Sequence, residues 1–96
     1  MKLAIIIYDT GAEPMVEAGL EKIGATGWTR ITDVVGKGRA GLRMGDPIFP
    51  GNNNIMLCVI EDHQVEPLRQ VMSTVPDEFI KQLAFRVFIT DVEILV

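Results

Sequence analysis

This sequence predicts an α+β domain, two helices laid on one face of a four-stranded antiparallel sheet, and three observations carry it. Residues 2–8 (KLAIIIY) and 55–60 (IMLCVI) are almost wholly apolar over strand-like lengths. Residues 28–35 (WTRITDVV) and 85–96 (FRVFITDVEILV) are β-branched and aromatic, but mix polar with apolar positions. Two stretches with helical spacing follow the first and third of these segments, so the element order is β-α-β-β-α-β.

The first strand ends at the turn-like Asp9-Thr10-Gly11, and a helix is expected over 12–24. Thr10 and Glu13 have the spacing of a capping box, and Pro14 is tolerable only in a first turn. Met15, Val16, Ala18, Gly19, Leu20 and Ile23 supply its inner face, and Gly24 and Gly27 end it. In the second strand Thr29, Ile31, Asp33 and Val35 share one face, while Trp28, Arg30, Thr32 and Val34 share the other. A second helix begins at Glu61-Asp62-His63-Gln64, with Pro67 in its first turn and Val65, Leu68, Val71 and Met72 as its buried stripe. Pro76 breaks it. Thr74 and Asp77 are spaced to cap a short turn carrying Phe79, Ile80 and Leu83. No repeat, low-complexity tract or linker divides the chain, so residues 1–96 form one domain.

This order is the ferredoxin-like split βαβ arrangement, whose strands lie in the spatial order 4-1-3-2. The two wholly apolar strands then fall in the centre and the mixed ones at the edges. Two helices cover one sheet face only, which leaves alternate side chains of both central strands bare. Burying a large aliphatic side chain is worth roughly 1.5–3 kcal/mol, too much to leave in water several times over. A patch of that size marks a protein interface, and a closed ring of copies is the economical cover.

Formal net charge is -4, which argues against general nucleic-acid binding. No apolar run is long enough for a membrane span, and the start lacks the cleavage site of a secretory signal. One cysteine, Cys58, excludes an internal disulfide and fits a reducing, cytoplasmic compartment.

Against that acidic background, residues 36–54 (GKGRAGLRMGDPIFPGNNN) stand apart. They hold five of the nine glycines and three of the nine basic residues, Lys37, Arg39 and Arg43, against one acid, Asp46. An irregular loop of this length is usually functional or disordered, and Leu42, Met44, Ile48 and Phe49 weigh against disorder. The Gly36-x-Gly38-x-x-Gly41 spacing lets backbone N–H groups approach an anion, with Lys37 and Arg39 supplying charge. A plain hinge at a strand end is the competing reading of the same glycines. Pro50-Gly51-Asn52 reads as a tight turn. Glu61, Asp62 and His63 offer metal-ligand chemistry, but also suit a solvated helix start, and no metal is expected. Cys58 reads as a small core residue, Trp28 as a packing anchor at a subunit boundary, and Asp91 with Glu93 as a solvated edge.

Strand one, TDVVGKGRAG (32–41), PGNNNIMLCV (50–59) and FRVFITDVEIL (85–95) together resemble the PII-like nitrogen-regulatory signalling superfamily, in its short, divergent branch. The resemblance implies a homotrimeric regulator, not an enzyme, with ATP, ADP or AMP, or another small anion, in clefts between subunits. It places effector contacts at Gly36, Lys37, Gly38, Arg39, Gly41 and Arg86. The T-loop, with Arg43, Met44, Ile48 and Phe49, would touch a partner such as a transporter or efflux component. This loop carries no tyrosine, so the family's uridylylation is not expected here. The glycine-rich phosphate-binding segment before the last strand has no glycine across 73–85, and no arginine pair follows Arg86. Two same-fold alternatives are a CutA-like metal-tolerance trimer and an acylphosphatase-like hydrolase. The second needs an arginine-bearing phosphate loop after strand one, where this chain reads Tyr8-Asp9-Thr10-Gly11-Ala12-Glu13.

Overall fold

The computed structural model describes residues 1–38, 41–43, 52–81 and 83–96, with the backbone alone for 41–43. Strand β1 (Lys2–Asp9) and a 3-10 turn lead into α1 (Glu13–Lys22), followed by β2 (Thr29–Val34). Two short strands, β3 (Gly36–Gly38) and β4 (Gly41–Arg43), precede β5 (Asn53–Ile60). Helices α2 (Val65–Met72) and α3 (Asp77–Lys81) and strand β6 (Phe85–Asp91) complete the fold. The main sheet has the order β2-β5-β1-β6, antiparallel at every pairing, which is the expected 4-1-3-2 arrangement.

Alternation sorts the side chains of the two central strands. Ala4, Ile6 and Tyr8 face the helices with Met56, Cys58 and Ile60, and each is at most 2% exposed. Val16 and Leu20 of α1 and Leu68 and Met72 of α2 close the same core. The helices approach closely at Gly19, where a Cβ would stand 2.8 Å from Val71 Cγ1 and 2.9 Å from Met72 Cε. Overpacking costs about 1–3 kcal/mol and alanine's better helix propensity returns about 1, so Gly19→Ala should destabilise by up to about 2 kcal/mol. A thermal melt checks this, and an unchanged midpoint would show that the helices can part.

The opposite sheet face is bare. Leu3, Ile5, Ile7, Ile55 and Leu57 are only half-buried there, and Ile31, Val59 and Phe88 are 44%, 48% and 52% exposed. The covering problem posed by the sequence is therefore present in the folded chain.

The structure corrects several expectations. Thr10 and Glu13 form no capping box. Asp9 caps the 3-10 turn instead, its carboxylate accepting from Gly11 N at 2.8 Å, and α1 has no side-chain cap. Thr74 does not cap α3, because its hydroxyl donates back to the Val71 carbonyl at 2.7 Å. Strand β6 stops at Asp91 because its partner begins at Lys2, the last pair in the ladder. Residues 36–54 are not irregular throughout. Gly36↔Arg43, Lys37↔Leu42 and Gly38↔Gly41 pair as a two-stranded arm, and Asn53 and Asn54 belong to β5.

Strict alternation also fails in β2. Ile31 pairs with Ile55, but the next pair is Val34 with Asn53, so β2 carries one surplus residue as a β-bulge. Asp33 takes the strain with φ +56°. Left-handed backbone costs a Cβ-bearing residue roughly 1–2 kcal/mol, least for Asn and Asp. The Asp33 N–H offsets part of this by donating to Asn54 Oδ1 at 3.1 Å.

Candidate functional site

The arm leaves the sheet directly beyond the bulge, beside the start of β6. Between them lies an open cleft of about 540 Å³. Its walls include Val35, Gly36, Lys37 and Gly38 from the arm, Asn53 from β5, and Ala84, Phe85 and Arg86 from β6. Lys37 and Arg86, far apart in sequence, thus share one cleft. Lys37 is exposed, and Arg86 Nη1 donates to the Phe85 carbonyl at 2.8 Å. Among the described residues, neither cation is paired with a carboxylate. A Cβ at Gly36 or Gly38 would meet nothing within 4 Å, so the space beside the arm is open. Positive charge, glycine backbone open to close approach and free volume therefore coincide, which is what a small anion requires.

Behind the cleft, on the helix side of the sheet, lies a polar network that the sequence did not disclose. The Tyr8 hydroxyl donates to Glu13 Oε1 at 2.5 Å, and Asn54 Nδ2 donates to the same oxygen at 2.8 Å. Arg30 Nη1 donates to Glu13 Oε2 at 2.9 Å and to Glu17 Oε1 at 2.7 Å, with its guanidinium 5.3 Å from the Trp28 ring centroid. Trp28 thus holds an intrachain cation–π contact and remains half-exposed. The one available signal was a tyrosine in a buried strand, since a buried Tyr hydroxyl needs a partner.

Burial, then the Glu13 hydrogen bond, raises the Tyr8 pKa well above its ordinary value. Burial pushes the Glu13 carboxyl upward too, but hydrogen bonds from Tyr8, Asn54 and Arg30 outweigh it and hold the pKa low. Glu13 therefore stabilises the fold fully above its ordinary pKa of 4.5, and that contribution disappears as pH falls through the lower folded value. Wild-type melting midpoints should thus fall more steeply with acid than those of Glu13→Gln. Equal slopes would contradict this.

The remaining sequence candidates separate. Gly41 and Arg43 contribute backbone to the arm. Arg39, Met44, Ile48 and Phe49 lie outside the described residues, as does the Arg43 side chain. The Asp62 carboxylate accepts from the Met1 ammonium at 2.8 Å, whose hydrogen bond and charge lower its pKa. Among the described residues no three His, Cys, Asp or Glu side chains come together as metal ligands. Cys58 is buried with its thiol donating to the Gly27 carbonyl at 3.2 Å, and burial raises its pKa. Asp91 pairs with Lys2 at the sheet edge. After β1, where an acylphosphatase would cradle phosphate, the Gly11 N–H is already held by Asp9.

Fold and site together define the class: a ferredoxin-like sheet with a basic two-stranded arm standing over a cleft at its strand ends. The family model described as nitrogen regulatory protein P-II matches residues 1–96, and the chain belongs to that family. A comparison with curated protein sequences returns no match. Among solved structures the chain is similar to CPII, a nitrogen regulatory PII-like protein from Thiomonas intermedia K12, bound to ADP, AMP and bicarbonate. There the TM-score is 0.82 at 19% identity, covering 97% of this chain and 86% of that one. The same protein bound to ADP and bicarbonate gives 0.81 at 19% identity, with the same coverage. Its apo form gives 0.72 at 18%, covering 97% and 89%. At these identities the likeness shows a shared fold.

Proposed function

We propose that this chain is a cytoplasmic regulatory protein, not an enzyme, that works as a homotrimer and binds a small anionic effector. The observation that carries this is the meeting of Gly36, Lys37, Gly38 and Arg86 around one open cleft. Family membership supports a regulatory role, and the adenine nucleotides and bicarbonate bound by CPII support the effector class. The bare sheet face supports assembly, because copies packed through it would bury Ile5, Leu57, Val59 and Phe88 and bring neighbouring clefts to the seams. Arg39 and Gly41 would complete the anion contacts.

The effector acts by selection among arm conformations. A ligand bound by Lys37 and the arm amides favours the conformations that keep them at the cleft, and only that differential affinity shifts the population. The partner protein reads the result through residues 36–54, with Arg43, Met44, Ile48 and Phe49 as its contacts. Family resemblance points to a transporter or efflux component as that partner. No helix among the described residues is long and apolar enough to cross a membrane. Calorimetric titration of ADP, AMP and bicarbonate into the protein tests the effector reading. Saturable heat with at least one is expected, and none with any at millimolar concentration would overturn it.

A further inference from the structure

We propose that the Tyr8–Glu13–Asn54 network is a positioning device that sets the departure of the arm, and through it the affinity of a cleft that none of its side chains lines. The proposal rests on the effector reading of the cleft, but half of its test does not.

Register is the physical link. The surplus residue between Ile31 and Val34 decides which side chains beyond it face the cleft. Without the bulge, Val34 would slip by one against β5, and a one-residue slip moves a side chain to the other face. The arm that follows at Gly36 would then leave the sheet in a different direction, and Lys37 would move with it relative to Arg86. The bulge depends on Asp33 staying in the left-handed region at φ +56°. Nothing about Asp33 itself enforces this, since it is exposed. The enforcing contact is its N–H donating to Asn54 Oδ1 at 3.1 Å.

Asn54 can hold that carbonyl in place only because its other end is anchored. It is 5% exposed, and its Nδ2 donates to Glu13 Oε1 at 2.8 Å, which fixes the amide orientation. Glu13 is itself held by the buried Tyr8 hydroxyl and by Arg30. A chain of contacts therefore runs from the first turn of α1, through β1 and β5, to the bulge. Val34, next to Asp33, begins the cleft wall, and Asn53, next to Asn54, forms part of it. The same two positions are paired across the strands.

Asn54→Ala removes the acceptor, and Glu13→Ala releases the amide while placing a strong helix former in α1. Glu13→Gln keeps an oxygen for Tyr8 and Asn54. Two readouts are taken on the full-length protein: ADP affinity by calorimetry, and backbone amide exchange by NMR. The first two variants should weaken ADP at least tenfold and speed exchange at Asp33, Val34 and Gly36 at least tenfold. Glu13→Gln should stay within threefold of wild type in both. If Asn54→Ala does not fold, Glu13→Ala decides. If wild type itself binds no ADP, the effector reading fails and exchange alone decides. Unchanged exchange at the bulge in folded variants, or acceleration spread evenly over β1 and β5, would overturn the proposal.

Discussion

Replacing Lys37 and Arg86 together with alanine should lower ADP affinity by roughly a hundredfold or more and leave the fold intact. Hydrogen bonds to charged groups contribute about 1.5–3 kcal/mol each, and about 1.4 kcal/mol is tenfold in affinity. Two such contacts to an anion therefore amount to two decades at least. Both side chains are exposed, and among the described residues their truncation removes one hydrogen bond, from Arg86 Nη1 to the Phe85 carbonyl. Thermal melts should accordingly match wild type. Wild-type affinity should fall as salt rises, because exposed charges are screened, and the double variant should be nearly insensitive. Each single variant should lie between the two. Unchanged ADP affinity in the double variant would remove the cleft from consideration as the anion site.

The second large effect is expected at the bare sheet face, on which the cleft also opens. Leu57→Glu should convert the assembled protein to single chains. Leu57 is in a central strand and points away from the helices, so the core formed by Met56, Cys58 and Ile60 is left alone. Covering a carboxylate with apolar surface costs several kcal/mol per ion even after relaxation. In a ring of identical copies that fault is repeated at every interface. Sedimentation velocity reads the outcome directly, and circular dichroism checks that the chain remains folded. A variant that sediments like wild type would mean that the bare face is not the interface.

Much of the architecture was legible because the sheet's centre and edges differ in composition. Two almost wholly apolar segments, 2–8 and 55–60, read as interior strands, and the rest of the order follows from crossover rules. Lys37 and Arg86 were both legible as candidates, one from its glycine-rich surroundings and the other from family resemblance. That they share a cleft required the tertiary structure. The arm reads as irregular in sequence because strands built from Gly36, Gly38 and Gly41 carry no alternation to detect. Asn53 and Asn54 read as loop residues because asparagine is depleted in strands. They are buried there to make hydrogen bonds, which propensity does not register. The capping box failed for a related reason. Tyr8, Arg30 and Asn54 all reach Glu13, from three different strands, and no local pattern encodes that convergence. The bulge at Asp33 is likewise a consequence of contacts distant in sequence.

All of this turns on whether the uncovered side of the sheet is closed by further copies of the same chain. Sedimentation equilibrium of the unmodified protein at micromolar concentration, in physiological salt, is the direct test. The mass should be three times the 10.6 kDa of one chain and should stay constant on dilution through that range. A single species at the mass of one chain would contradict it.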